Sequence, residues 1–264
     1  MIAGDGIRIE DISMAYARSK VLDKISLTIG KGSVVTIVGP NGCGKTTLLK
    51  IINNLIRPDH GRVLVDGCPV GSLPAHRLAR LMGYVPQGHK ISFPFKVRDV
   101  VITGRMPYIP AFSSPNREDR EMTEQVLALT GISGLADQPY TQISGGERQL
   151  VMIARAMVQQ PSVLLLDEPT SYLDFKNQIS TLKMIKEISK RQKLTVMMTL
   201  HDPNHALMFS DDVALLRKLN CGREGNLVAF GPPDVVMTPK NILEAYGVEV
   251  EITEVKGRKI LMPL

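Results

Sequence analysis

The residues Gly39, Pro40, Asn41, Gly42, Cys43, Gly44, Lys45, Thr46 and Thr47 follow directly on the apolar run Val34-Val35-Thr36-Ile37-Val38. Their spacing fits G-x-x-x-x-G-K-[ST], the phosphate-binding loop (P-loop). Glycines let the backbone turn so that successive N–H groups point inward and form an anion nest. The following segment, Thr47 to Ile52, reads as a helix whose N-terminal dipole favours the same negative charge. Lys45 is placed to reach the outer phosphates and the Thr46 hydroxyl to ligate Mg²⁺. A plain glycine turn is the alternative reading, but strand, loop and helix stand in the order that phosphate binding requires. The expected ligand is a nucleoside triphosphate.

Two further groups suit that ligand. "VLLLDE", Val163 to Glu168, is an apolar strand delivering two carboxylates at its C-terminal end, the edge of a parallel sheet where ligands bind. Asp167 is expected to hold Mg²⁺, and Glu168 to polarise an attacking water as general base. "ISGGERQ", Ile143 to Gln149, opens a helix. Ser144 and Glu147 have the spacing of a capping box. Gly145 and Gly146 each weaken that helix start by about 1 kcal/mol, which makes sense if a phosphate must approach the backbone closely.

The elements that position these groups follow from periodicity. Residues 7–37 alternate apolar and polar in short stretches broken by glycine, an antiparallel pattern feeding one buried strand, and 61–67 is another short strand. From about residue 90 the spacing becomes helical, with Asn116 a cap after Pro115. After residue 160 strands alternate with helices, which implies βαβ units and a parallel sheet. Residues 248–264 read as a small β-hairpin. At 264 residues, 44% hydrophobic and 22% charged, the chain has the composition of a soluble globular protein. It has neither an apolar run long enough to span a bilayer nor a secretory signal. Cys43, Cys68 and Cys221 are odd in number and lack metal-ligand spacing, which suits a reducing compartment. The net charge of +6 is scattered; its densest cluster, Lys183 to Lys193, fits a solvated helix face, and nucleic acid is not an expected partner.

Together these motifs resemble the nucleotide-binding subunit of ATP-binding cassette (ABC) transporters over almost the whole chain. "GPNGCGKTT" matches the family's Walker A motif, "VLLLDE" its Walker B, and "ISGGE" its signature, with Ile143 where the family usually has Leu. "SYLD" at 171–174 matches the D-loop, "GYVPQ" the Q-loop and His201 the switch histidine, and Tyr16 lies where the family stacks an aromatic on adenine. The resemblance implies an α/β fold of the P-loop NTPase ABC ATPase type: a mostly parallel core sheet, an antiparallel β-subdomain and a helical subdomain. It implies an ATPase domain over 1–240, with the helical subdomain inserted at approximately 90–160, and a short C-terminal extension over 241–264. It also implies catalytic roles for Glu168, His201 and Gln87, with Gln87 joining Thr46 and Asp167 at the metal. Tyr16, Gly39 to Thr47, Ser144, Gly145, Gly146 and Asp174 would bind nucleotide. ATP and Mg²⁺ are the implied cofactors. The implied partners are a second copy in a head-to-tail dimer, two transmembrane permease subunits and, indirectly, a substrate-binding protein, at the cytoplasmic face of the membrane.

His60, His76, His89 and His205 are read as surface or capping residues, and the methionines as core filler. Residues 93–110 and the tail resemble the ATPases of metal-chelate importers, those for iron–siderophore, haem, cobalamin and molybdate. The proline-rich Met106-Pro107-Tyr108 suits a rigid socket for a permease helix, with Arg105 expected in that contact. A soluble ABC ATPase of DNA repair or the ribosome shares every catalytic motif, but usually carries a long coiled coil or two cassettes. A P-loop kinase or GTPase would lack the signature.

Overall fold

The computed structural model describes residues 6–17, 19–88, 93–219 and 225–264; His89 and Cys221 lie outside them. In chain order the elements are β1 (Ile7–Tyr16), β2 (Ser19–Ile29), β3 (Val34–Val38), α1 (Lys45–Ile52), β4 (His60–Val65), β5 (Cys68–Pro69), α2 (Ala75–Leu81), β6 (Met82–Val85), α3 (Val97–Ile102) and α4 (Arg117–Leu129). They continue with α5 (Gly145–Met157), β7 (Val163–Leu166), α6 (Phe175–Gln192), β8 (Thr195–Thr199), α7 (Pro203–Phe209), β9 (Asp212–Leu216), β10 (Leu227–Gly231), α8 (Pro233–Val236), α9 (Pro239–Tyr246), β11 (Val250–Val255) and β12 (Arg258–Pro263). Contacts divide the chain into two units, one of residues 1–73 with 188–264 and one of residues 74–187, so the division falls within α6.

In the first unit, β1 pairs antiparallel with β2 (Ile7 opposite Ile29) and with β4 (Ile7 opposite Val65). The period-two pattern buries Ile7 and Ile9, and an irregularity between Ile9 and Ile12, where Asp11 has φ 53°, breaks the alternation and lets Ile12 be buried too. By contrast β3 is buried at all five residues, as a strand covered on both faces must be. It runs parallel to β8, with Ile37 opposite Thr199, and to β9, with Ile37 opposite Ala214. β10 adds antiparallel to β9. The hairpin β11–β12 turns at Lys256 and Gly257, whose φ values of 51° and 73° give the doubly left-handed turn that matches strand twist. Asn204 of α7 fastens the hairpin, its Oδ1 accepting from Leu261 N–H at 2.8 Å and its Nδ2 donating to Leu261 O at 3.2 Å.

In the second unit, β6 and β7 are parallel, with Val85 opposite Leu166. Asn116 caps α4 through a reciprocal box: Asp119 N–H donates to Asn116 Oδ1 at 2.9 Å, and Asn116 N–H to Asp119 Oδ2 at 3.0 Å. Gly104 lets the chain after α3 approach α5, since a Cβ there would overlap the Arg155 carbonyl.

Arg105 departs from the expectation of a surface contact. It is 5% exposed. Its Nε donates to Asp119 Oδ1 at 2.8 Å and its Nη1 to Val158 O at 3.2 Å, and its guanidinium lies 4.1 Å from the Tyr108 ring centre. A charge in that position holds the helical unit together. The reason is that Asp119, which accepts from the cap through Oδ2, is itself buried, and a buried carboxylate needs a cation.

Candidate active site

The loop from Gly39 to Gly44 hangs from the C-terminal end of β3 in a conformation that only glycine permits. Gly39 and Gly44 have φ of 152° and 101°. A Cβ at Gly39 would overlap the Leu216 carbonyl, and one at Gly44 would fall 2.5 Å from Leu22 Cδ2. Gly44 offers no side-chain cap to α1, and no acidic residue stands in the first turn. The N-terminal N–H groups of α1 are therefore served by no cap side chain, as an anion-binding helix start requires. Lys45 is buried and folds back on the loop, its Nζ donating to Gly39 O at 2.8 Å and Pro40 O at 3.2 Å. Burial, opposed by the Lys45 charge, pushes the Cys43 thiol up, so this cysteine is an inert packing group.

His201 comes off the same sheet edge. Leu200 N–H donates to Ile37 O at 3.2 Å, so β8 delivers His201 beside the start of the loop. Asp202 caps α7 directly afterwards, accepting from Asn204 N–H at 2.8 Å.

In the second unit the ends of β6 and β7 bring Gln87 and the two acids together. Asp167 N–H donates to Val85 O at 2.8 Å, extending the strand pairing by one step. Gln87 Nε2 donates to Glu168 Oε2 at 2.5 Å. Asp167 and Glu168 are both buried, and Glu168 sits at φ 52°. A non-glycine residue held left-handed costs about 1–3 kcal/mol, and such positions cluster at functional sites. The neighbouring Tyr84 phenol is pushed up to about 12, by burial first and by the Asp167 charge second.

Ser144 caps α5 as its spacing predicts. Ser144 N–H donates to Glu147 Oε2 at 2.8 Å and Glu147 N–H to Ser144 Oγ at 3.3 Å. The Ser144 hydroxyl and N–H hold the Glu147 carboxyl below its usual range. The two glycines differ. A Cβ at Gly146 would meet Leu173 Cδ2 at 2.8 Å, whereas around Gly145 there is open space. Gly146 thus lies against the end of the Leu173 side chain, and Gly145 faces open space that admits close approach from outside.

The ABC transporter family model matches residues 22–171. The chain is 38% identical to an uncharacterized ABC transporter ATP-binding protein of Methanocaldococcus jannaschii over 258 residues, 98% of each chain. It belongs to the ABC transporter family.

Among other relatives, the ferric enterobactin transport ATP-binding protein of Escherichia coli is 34% identical, over 98% of this chain and 94% of that one. The hemin import ATP-binding protein of Thermobifida fusca is 37% identical, over 91% and 82%. A structure described as an inward-facing conformation of a metal-chelate type ABC transporter superposes with a TM-score of 0.84 at 29% identity, covering 98% of both chains. The ABC ATPase fold expected from the motifs is the fold found, and the chain is an ATP-binding ATPase subunit of this family. The alternative of a non-transport ABC ATPase is not favoured by these relatives.

The remaining expected site residues fall as follows. Tyr16 ends β1 at 47% exposure, with a ring face available for stacking. Asp174 is turned onto its own helix: its Oδ1 accepts from Asn177 N–H at 2.8 Å and its Oδ2 from Asn177 Nδ2 at 3.1 Å. Among the described residues no group of three or more His, Cys, Asp or Glu could hold a metal. Mg²⁺ takes one or two protein oxygens and completes its shell with phosphate and water. The buried Asp167 carboxylate, whose charge is felt at Tyr84, is a hard donor of that kind. Tyr84 itself carried no sequence signal, because only the pairing of β6 with β7 sets it beside Asp167.

Proposed function

We propose that the chain powers an importer of a metal chelate such as iron–siderophore, haem, cobalamin or molybdate. Two copies associate head to tail, each nucleotide lying between one copy's P-loop and the other's Ser144, Gly145 and Gly146. Lys45 and the loop N–H groups hold the phosphates and Tyr16 stacks on adenine. Thr46, Asp167 and Gln87 would hold Mg²⁺, which supplies charge neutralisation on the phosphate oxygens. Glu168 accepts the proton of the attacking water, and His201 stabilises the charge on the transferred phosphoryl group. Asp174 belongs to the same interface between copies.

The observation that carries the catalytic reading is the 2.5 Å bond from Gln87 Nε2 to Glu168 Oε2. Gln87 stands between β6 and α3 in chain order, so displacement of the chain at Gln87 repositions the base. Regulation of hydrolysis by a membrane partner needs such a link. The substrate class is supported by similarity, over 98% and 91% of this chain, to a ferric enterobactin transport and a hemin import ATP-binding protein. Among the described residues no helix is long and apolar enough to cross a membrane. The pore is therefore assigned to two permease subunits, loaded by a substrate-binding protein, with this chain at the cytoplasmic face.

For the permease contact, the exposed Phe93, Phe95 and Met106 replace Arg105. Single cysteines at Phe95 and Met106 are expected to cross-link to the permease of the same transporter. Failure of both positions, with a cysteine at exposed Val255 as comparison, would remove the assignment.

A further inference from the structure

We propose that Asn226, at the entry to β10, is a positioning residue that sets the peptide plane between Cys43 and Gly44 and so aims the phosphate loop. Asn226 has no exposed surface. Its Nδ2 donates to Cys43 O and to Val21 O, both at 2.9 Å, and its Oδ1 accepts from Asp23 N–H at 3.1 Å. Every hydrogen-bonding position of the amide nitrogen and one on the oxygen are used, by a loop, by β2 and by nothing else that it needs for its own strand. The residue is itself immobilised. Arg217 N–H donates to Asn226 O at 2.8 Å, and the preceding Gly225 N–H donates to Asp23 Oδ2 at 2.7 Å.

The loop needs this brace because it cannot fix that peptide by itself. Glycine populates both signs of φ about equally, and Cys43 stands between Gly42 and Gly44. The peptide is trans, and in a trans peptide C=O and N–H point in opposite directions. Holding the Cys43 carbonyl against the buried amide therefore turns the Gly44 N–H away from that amide, in a loop whose Asn41 and Gly42 are exposed. Gly44 is meanwhile pressed on β2, with Val21 O 3.0 Å from where its Cβ would stand. Val21 O is also the second acceptor of Asn226. One amide thus ties β2, the loop and β10 at a single point.

The proposal rests on the P-loop being the phosphate site, and the test separates the two. MgATP affinity is measured by calorimetry, with KM and kcat alongside, for Asn226→Ala, Asn226→Asp, Lys45→Ala and Val65→Ala. Val65 is buried in β4 away from the loop and serves as a matched loss of stability. Misaiming one N–H of the nest is expected to weaken MgATP about tenfold. KM should rise while kcat changes little, since the nest holds phosphate in ground and transition states alike. Asn226→Asp, which sets an acceptor against two carbonyls, should lose at least as much, and Val65→Ala should keep wild-type KM. Should Asn226→Ala not fold, Asp23→Asn loosens the same brace through Gly225 and should raise KM by a smaller factor. An Asn226 variant that melts lower but keeps wild-type KM, as Val65→Ala does, overturns the proposal. Wild-type affinity in Lys45→Ala overturns the phosphate site beneath it.

Discussion

Replacing Arg105 by alanine should destabilise the helical unit more than any surface substitution could. The guanidinium and its partner Asp119 are 5% and 4% exposed and 2.8 Å apart. Removing one member of such a pair strands the other charge in a low-dielectric interior, at about 3–5 kcal/mol. Asp119→Ala breaks the same pair and also the α4 capping box, for about 4–6 kcal/mol in all. Treated as independent, the two would sum to about 7–11 kcal/mol, but the double variant leaves no buried charge and should lose only about 4–6 kcal/mol. Urea unfolding of the four proteins closes the cycle, and native-state amide exchange across α4 and α5 locates the loss in the helical unit. Additive losses, or a loss below about 1 kcal/mol for Arg105→Ala, as for an exposed ion pair, would refute the reasoning.

The same pair sets an acid limit. Burial alone would raise the Asp119 carboxyl, but the Arg105 ion pair and the Asn116 N–H outweigh it and hold it below the usual range. Its contribution is therefore complete above the unfolded carboxyl value near 4 and is lost as pH falls through the lower folded one. Asp119→Asn should be less stable at neutral pH and show a flatter acid limb in urea midpoints taken from about pH 6 to pH 3; an unchanged slope would count against it. The open space at Gly145 gives a clean test of pairing between copies. In a Glu168→Gln background, MgATP should shift gel filtration to a dimer and Gly145→Asp should abolish the shift without lowering the melting temperature. A dimer that persists would remove the signature from the nucleotide interface.

What the sequence made legible was what is local along the chain. The P-loop, the Ser144 and Asn116 capping boxes and the period-two strands all depend on residues within a few positions of one another. The short helices α2, α8 and α9 carry too few turns for their periodicity to stand out, although Thr238 and Gly247 bracket α9 as caps. Burial of Arg105 was not legible, because an arginine beside a proline-rich segment looks like surface until Asp119 and Tyr108 are seen to enclose it. The bond between Gln87 and Glu168 spans 81 positions and that between Asn226 and Cys43 spans 183. Only the pairing of strands brings such residues together. Family resemblance supplied Gln87, but nothing in composition or spacing pointed to Asn226.

The central claim is that Glu168 takes the proton from the attacking water. Glu168→Gln keeps the side-chain size and its place beside Gln87 while removing the basic oxygen. The decisive measurement is the single-turnover hydrolysis rate of this variant at saturating MgATP, with bound nucleotide quantified in the same sample. Nucleotide binding should be retained and the rate should fall by about 10²–10⁴-fold, roughly 3–5 kcal/mol of barrier. A rate within about tenfold of wild type would contradict the assignment.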